Sequence, residues 1–554
     1  MKYIQEKLNR VYFLKLLIIT VPISLLGFFK WEANSYTTDT AWVFLQAAQV
    51  EGLGGSLHST SPDQKGPITY QIYRLVLNIF DYDLMWIGLT VGTLICINIM
   101  FNVGLITFHK RGKNISLIIV GLLFLRLIFG PEGVTFHTFH LRLIGHTFLI
   151  LIFFLLVRKK SKIIFFISGI LFGFVSISVQ SDIIFILTIF SYFYLYKIPL
   201  KDQMYFYAGG LTTFLTISAF YFITNNFDEF WNYWFEYAIY YRQNYDAFAA
   251  EDLAFLDGVP FRPFFLTVYY FFSTNISLVM SESLSQYGVL SSFDILKNND
   301  LTGLFNIIKI LFFKLLWFYL PLYIAVKELR NVESPNNFKL LIIFWINSWI
   351  QVIFAGGLRY YLATAIPTFL LLTLYLSYKL ELNKNYIKMS ILVLLVSLSI
   401  IPGFREGIRA YSINFDDLSF NRYVENNLGN MSEGEQKLKE WLSNNSSESD
   451  TIYFWTNSPI LYLNQKRITS VSVWRTERLI GNTYHGEKPF PRNIEKWKED
   501  MKNKPPKYIV LENIPFLGGD LRDGRAEFEP LDNEIKNNYM LVESNMYFDI
   551  FQKK

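Results

Sequence analysis

Roughly eleven separate apolar stretches of membrane-crossing length govern what this chain can fold into. A bilayer core needs about 20 mostly apolar residues per helix. Inside it, each backbone N–H and C=O must find its partner within the segment, so the spans are helices. The stretches lie near 12–29, 84–106, 114–130, 141–157, 163–179, 181–196, 204–223, 303–326, 338–355, 359–378 and 387–402. Composition agrees: 52% of residues are hydrophobic and 18% charged, against roughly a quarter charged in ordinary soluble domains. A disordered chain, a coiled coil and a cytosolic enzyme are excluded. One cysteine excludes a disulfide framework and a Cys-rich zinc site. An apolar piece around 264–272, bounded by Arg262-Pro263 and Asn275, is expected to be re-entrant or interfacial.

Basic loops set the orientation. Lys2/Lys7/Arg10, His109-Lys110-Arg111-Gly112-Lys113 and Arg158-Lys159-Lys160-Ser161-Lys162 are followed by Lys197/Lys201, Lys327/Arg330/Lys339 and Lys379/Lys384/Lys388. All are cytoplasmic together when the N-terminus is inside. The first apolar stretch has no small-residue cleavage site after it and is read as a span, not a removable signal. The expected protein is a multi-pass protein of the cell (plasma or inner) membrane. Its membrane domain covers 1–402, with outside loops at about 30–83 and 225–302. The tail 403–554 has soluble composition and is extracytoplasmic.

Within the tail, 450–455, 468–473 and 507–512 read as strands and 492–503 as a polar amphipathic helix. A helix from the Asn457-Ser458-Pro459 cap and a closing hairpin at 539–542 and 546–551 complete the pattern. This order predicts a small α/β domain, serving as a cap on the membrane part or as a contact for acceptor or substrate.

Loop 1 holds the most distinctive chemistry. Asp39 lies about ten residues beyond span 1, before an amphipathic pattern (Ala41, Phe44, Leu45, Ala48). A Gly52-Leu53-Gly54-Gly55 stretch follows, and the loop closes with Lys65-Gly66-Pro67-Ile68-Thr69-Tyr70. A carboxylate beside a cation at headgroup level suits chemistry on a lipid phosphate. The carboxylate could take a proton from an attacking hydroxyl, and the lysine could offset charge on a leaving phosphate. The plainer alternatives are that Asp39 caps the following helix and that Lys65-Gly66-Pro67 is a turn.

This order of Asp, amphipathic helix, Gly-rich turn and Lys-Gly-Pro-x-x-Tyr resembles the membrane glycosyltransferases of the GT-C fold. The similar branch includes the protein O-mannosyltransferases and the lipid A aminoarabinose transferase. Gly357-Leu358-Arg359-Tyr360-Tyr361 with Pro367 resembles a late-span signature of the same family. The tail pattern Ile452-Tyr453-Phe454-Trp455, Tyr462, Arg467 and Lys507-Tyr508-Ile509-Val510 resembles the extracytoplasmic domain of some members. The resemblance implies Asp39 as the catalytic carboxylate and Lys65 at the donor phosphate, joined by Arg359, whose guanidinium suits two phosphate oxygens. Thr40 stands where some members carry a second acid, so a paired-acid version is not supported.

Further candidates for sugar or acceptor contact, or for a supporting layer, are His140, Arg142, Asp182, Tyr70 and Tyr360. The histidines His58, His137, His140 and His146 read mainly as hydrogen-bonded interfacial residues. His-x-x-His near Glu132 could bind a metal, but no third ligand stands out. Arg126, Arg142, Asp182 and Arg359 sit in or beside spans, where ion pairing is the plain reading. The aromatic run 230–245 reads as a membrane-interface belt, with carbohydrate stacking as the functional alternative.

The expected function is inverting transfer of a sugar from a polyprenyl-phosphate donor to a glycan, lipid or protein acceptor on the outer face. Partners are that donor, the acceptor and membrane lipids, with no nucleic acid. No cofactor is required and a metal is not indicated. The rivals are a flippase-like polysaccharide or lipid transporter, and an O-antigen polymerase or ligase. A transporter would carry internal repeats or midplane charges. A polymerase or ligase would lack the early Asp and Lys-Gly-Pro loop.

Overall fold

The computed structural model describes residues 66–79, 161–178, 180–244, 319–354, 433–455, 467–480, 489–513 and 528–554, with positions 18, 49, 58, 152, 371, 372, 375 and 462. The chain divides into two compact units. One is Met1–Ser35, Gly88–Thr216 and Phe264–Asp416. The other is Tyr36–Ile87, Ile217–Pro263 and Asp417–Lys554.

The helices, in chain order, begin with α1 (Pro67–Ile79), α2 (Lys162–Ser178), α3 (Ile186–Leu195) and α4 (Leu200–Ile223). A 3-10 turn at Gln180–Phe185 leads into α3. Then come α5 (Phe227–Trp231), a π-helical turn at Asn232–Glu236, α6 (Tyr237–Asn244), α7 (Leu320–Arg330) and α8 (Asn336–Phe354).

In the first unit, α4 is long and apolar enough to cross a membrane, and Lys162–Ser178, Asp182–Leu195 and Phe338–Gln351 are shorter apolar helices. Helix α4 agrees with the span expected at 204–223, and the three shorter helices overlap the stretches expected at 163–179, 181–196 and 338–355 without reaching membrane-crossing length. The stretch expected at 303–326 meets α7, which continues through Lys327 and Arg330. The other expected spans lie wholly or almost wholly outside the described residues.

Glycines let α2 and α4 touch backbone to backbone. A Cβ on Gly169 would stand 2.0 Å from the Phe206 carbonyl oxygen, and one on Gly209 would stand 2.1 Å from that of Phe166. The Thr213 hydroxyl donates to the Ile170 carbonyl at 3.1 Å. Small residues allow such closeness between apolar helices, where packing replaces the hydrophobic effect. Gly169→Val and Gly209→Val are each expected to destabilise the bundle by more than the ~1–3 kcal/mol of ordinary overpacking, because a backbone oxygen cannot step aside. Thermal unfolding in detergent would measure this. An unchanged midpoint for both would mean that the helices do not meet this way.

A polar seam joins α8 to the segment before and within α3. Asn347 Nδ2 donates to Thr188 Oγ1 at 2.7 Å, and the Gln351 amide donates to the Asp182 carboxylate. Asn347 and Gln351 are one helical turn apart and so share a face. All four side chains are buried. Polar groups in an apolar helix bundle face protein, not lipid.

Helices α3 and α4 both end in Schellman motifs. After α4, Asn226 N–H donates to Tyr221 O and Asn225 N–H to Phe222 O, with Asn225 at φ 53°. After α3, Ile198 N–H donates to Phe193 O and Lys197 N–H to Tyr194 O, with Lys197 at φ 49°. Ile198 packs in the same buried cluster as Phe193, which is the apolar contact this motif carries. Asparagine tolerates the left-handed position. Lysine has no such aptitude, and holding it there costs about 1 kcal/mol.

The second unit contains the tail. Its described elements are α9 (Glu433–Asn445), β1 (Ile452–Trp455), α10 (Glu477–Ile480), α11 (Pro491–Asn503), β2 (Tyr508–Glu512), α12 (Glu529–Asn538), β3 (Tyr539–Ser544) and β4 (Phe548–Lys553). The sheet order is β1-β2-β4-β3, with β1 and β2 parallel and the other pairs antiparallel. The parallel pair needs a long crossover, and α10 and α11 lie in it. Both parallel strands are buried throughout, as strands covered on both faces are.

Alternation sorts their side chains. Tyr453, Trp455, Ile509 and Leu511 meet Trp497 and Met501 of α11 and Leu531 and Ile535 of α12. Ile452, Phe454, Tyr508 and Val510 meet Leu438 and Leu442 of α9. The result is a three-layer α/β/α domain.

The strand expected at 468–473 does not form. The segment is an irregular buried strap. Val471 N–H bonds to Thr469 Oγ1, and Ser472 N–H bonds to Asp500 Oδ2 at 2.7 Å. Thr and Ser alternate with the apolar residues there, and their hydroxyls compete with a ladder. Helices α9 and α12 were not read from the sequence.

Candidate functional site

Six of the candidate residues, Asp39, Lys65, His140, Arg142, Arg359 and Tyr360, lie outside the described residues.

The residues after Lys65 do not make a simple turn. Gly66 leads into Pro67, the first residue of α1. Proline suits that position because its missing N–H would be unpaired anyway and its fixed φ is helical. Gly66, Pro67 and Tyr70 are buried. No acidic residue occupies the first turn of α1, and a helix N-terminus carries partial positive charge that favours anions. In the sequence, Lys65 precedes Gly66 and this terminus.

Asp182 is fully buried in the 3-10 turn and takes the Gln351 hydrogen bond. It ties two helical segments together and is more than a cap. Gln351, Asn347 and Thr188 were not singled out from the sequence. The available signal was two polar side chains four residues apart in the apolar run of α8.

In the second unit, three stretches distant in sequence are joined by specific contacts. Each overlaps a segment that the basic-loop pattern puts outside. First, loop 1 meets the tail. The Gln49 amide, with its nitrogen toward the Thr469 carbonyl, exchanges two hydrogen bonds with the Thr469 backbone at 3.1 Å. Gln49 is ten residues past Asp39, in a helical position.

Second, loop 1 meets the long outside loop. His58 Nδ1 and Tyr221 Oη are 3.1 Å apart, and the His58 ring lies edge-on to Phe230 at 5.4 Å. Phe230 stacks on Tyr221 at 4.5 Å. His58 is thus a packed, hydrogen-bonded histidine.

Third, the long loop meets the tail. Glu229 on α5 accepts at one oxygen from Arg492 Nη2 and Lys496 Nζ, both at 3.1 Å. One turn on, Tyr233, Tyr237 and Tyr240 surround Phe490, with Tyr237 stacked at 5.0 Å. The Tyr240 hydroxyl donates to Pro489 O at 3.0 Å. The Arg478 guanidinium lies over the Tyr237 ring at 5.0 Å, a cation–π arrangement. Burial first, and then the Glu229 charge, raises the Tyr233 hydroxyl pKa well above its usual value. Burial opposes the Arg492 cation, but the Glu229 carboxylate outweighs it and raises its pKa. The aromatic run read as a membrane belt thus spends Phe230, Tyr233 and Tyr237 in a protein core. Trp231 and Phe235 remain partly exposed.

Among the described residues, no group of three or more His, Cys, Asp or Glu could hold a metal ion.

No protein-family model matches the chain, and no curated protein matches it. Solved structures do. The chain is similar to the Archaeoglobus fulgidus oligosaccharyltransferase crystallised with Zn and sulfate, at 12% identity and TM-score 0.45, over 89% of this chain and 68% of that one. It is similar to ArnT from Cupriavidus metallidurans bound to undecaprenyl phosphate, at 11% identity and TM-score 0.43, over 97% of both chains. The apo form of that ArnT gives 11% identity and TM-score 0.45, also over 97% of both. Both proteins are GT-C fold enzymes.

Proposed function

We propose that this chain is a polytopic membrane glycosyltransferase of the GT-C type. It moves a sugar from a polyprenyl-phosphate donor to a glycan, lipid or protein acceptor on the outer face of the cell membrane. The observation that carries this reading is Lys65-Gly66-Pro67 opening directly into α1, at the end of the loop that begins with Asp39. A lysine beside a helix N-terminus can receive a phosphate as it leaves.

In the proposed step, the Asp39 carboxylate takes the proton of the acceptor hydroxyl. The hydroxyl oxygen attacks the anomeric carbon on the face opposite the phosphate, inverting that centre. The carbon–oxygen bond to phosphate breaks, and its electron pair leaves on the lipid phosphate. Lys65 and Arg359 offset the charge that develops there. The tail holds the two outside loops in register for this step. Gln49–Thr469, Glu229–Arg492/Lys496 and the Phe490 wedge support that role.

The test is transfer by the purified protein in proteoliposomes from a radiolabelled polyprenyl-phosphate sugar to surface glycans or glycolipids, followed by mass spectrometry. Lys65→Ala is expected to weaken donor use by about 10- to 100-fold, the worth of one charge-assisted hydrogen bond, in a folded and inserted protein. Full activity in that variant would make Lys65 a loop residue and move the phosphate contact to Arg359. Movement of lipid with no covalent transfer would favour the transporter.

A further inference from the structure

The first unit has a groove where α3 ends and α4 begins, far along the chain from loop 1. It is an open depression of about 680 Å³, lined by Phe190, Phe193, Tyr194, Leu195, Lys197, Ile198 and Gln203. Phe193 and Ile198 belong to the buried core. Gln203 donates to Ile198 O at 2.8 Å and accepts from the Tyr207 hydroxyl at 3.2 Å. The open side is apolar, with Phe190 and Tyr194 exposed. Lys197 is the only charged residue among the described residues of the lining.

Two observations give the groove a chemical preference. Lys197 occupies the left-handed position of a Schellman motif, where glycine would fit without strain. A lysine there keeps a cation at the groove mouth at the expense of the backbone. The same end of the unit also gathers other basic groups. Lys162 lies over the Tyr205 ring at 5.4 Å, Lys201 opens α4, and Asn336 beside Lys339 donates to Leu195 O at 2.8 Å. Asp202 is near but does not line the groove. An apolar slot with a cationic mouth, at one end of apolar helices, matches a phospholipid with an anionic headgroup. The first methylenes would lie along Phe190 and Leu195, and Tyr194 suits the headgroup depth.

We propose that this groove is a binding site for an anionic phospholipid, with Lys197 at the phosphodiester. The proposal is independent of the glycosyl-transfer reading, since it needs neither Asp39 nor Lys65.

The experiment uses the full-length protein in nanodiscs of equal phosphatidylglycerol and phosphatidylcholine, with retained lipid counted by native mass spectrometry. Wild type is expected to retain phosphatidylglycerol in preference. Lys197→Gly relieves the backbone, so its thermal midpoint should stay level or rise, while the preference falls about fivefold, the weight of one lysine at an anionic surface. Lys201→Gln, at a residue outside the groove lining, should lower the preference by clearly less than Lys197→Gly. Equal retention of the two lipids by wild type, or the same preference in Lys197→Gly, would overturn the proposal. So would thermal stabilisation by inorganic phosphate alone matching that by short-chain phosphatidylglycerol.

Discussion

Asp39→Asn is expected to give a folded, inserted protein whose sugar transfer is slower by about 100- to 10,000-fold, the usual worth of a general base. Asparagine keeps the side chain's size and caps a helix about as well as aspartate. The substitution therefore removes the proton acceptor and leaves the local structure. The two readings of Asp39 separate cleanly. A cap alone would leave Asp39→Asn near full activity, while Asp39→Ala would lose about 1 kcal/mol of stability. A base would make Asp39→Asn inactive yet able to bind the lipid donor. Single-turnover transfer with donor binding measured in parallel decides between them. Near-normal turnover in Asp39→Asn would remove Asp39 from the chemistry and turn attention to Glu132 and Asp182.

The second large effect is expected at Glu229. Its carboxylate is the shared partner of Arg492 and Lys496, and the Lys496 side chain is only 9% exposed. Arg492 also reaches Glu495 at 3.6 Å and Glu499 at 3.4 Å, so it keeps partners when Glu229 is removed. Lys496 has no other salt bridge among the described residues. The Asp500 carboxylate also attracts Lys496 and remains, so Glu229→Ala should cost up to about 3 kcal/mol, most of it from the buried cation's lost partner. Glu229→Ala with Lys496→Met should recover much of that loss, because a methionine of similar length removes the stranded charge. Thermal unfolding of the four proteins of this cycle gives the coupling. Additive losses would mean that the contact contributes nothing specific. Transfer assays on the stable double variant then ask whether the tail's hold on the long loop sets the rate.

Much of this protein is readable from its sequence because two strong physical signals are local. Apolar runs at 163–179, 181–196, 204–223 and 338–355 became helical, as long unbroken apolar stretches are expected to. Continuous apolar runs at 452–455 and 508–511 became strands buried on both faces, as strands covered on both sides do. Helix α1, which Pro67 opens, was not read from the sequence, where Lys65-Gly66-Pro67 stood as a phosphate motif or a turn.

The failures are equally physical. The segment 468–473 had strand composition and touches the β1 edge once, where Ile452 N–H donates to Ile468 O at 3.1 Å, but Thr469 Oγ1 and Asp500 took the Val471 and Ser472 N–H groups that a ladder would need. The aromatic run from Phe230 looked like a membrane belt because an aromatic ring is the same ring at a lipid surface and in a protein core. Only its tertiary neighbours, Phe490, Arg478 and Glu229 with its two cations, assign it to the second unit.

The sequence by itself determined the apolar helices at 162–178, 200–223 and 336–354, the two parallel strands of the tail, and which segment carries an acid followed by a cation. Each of these depends on residues close together in the chain. Tertiary structure alone decided that Gly169 and Gly209 meet backbones and that Gln351 reaches Asp182 across 169 residues. It alone also decided that Glu229 meets a helix more than 260 residues away. Such pairings depend on the path of the whole chain, which no local pattern encodes.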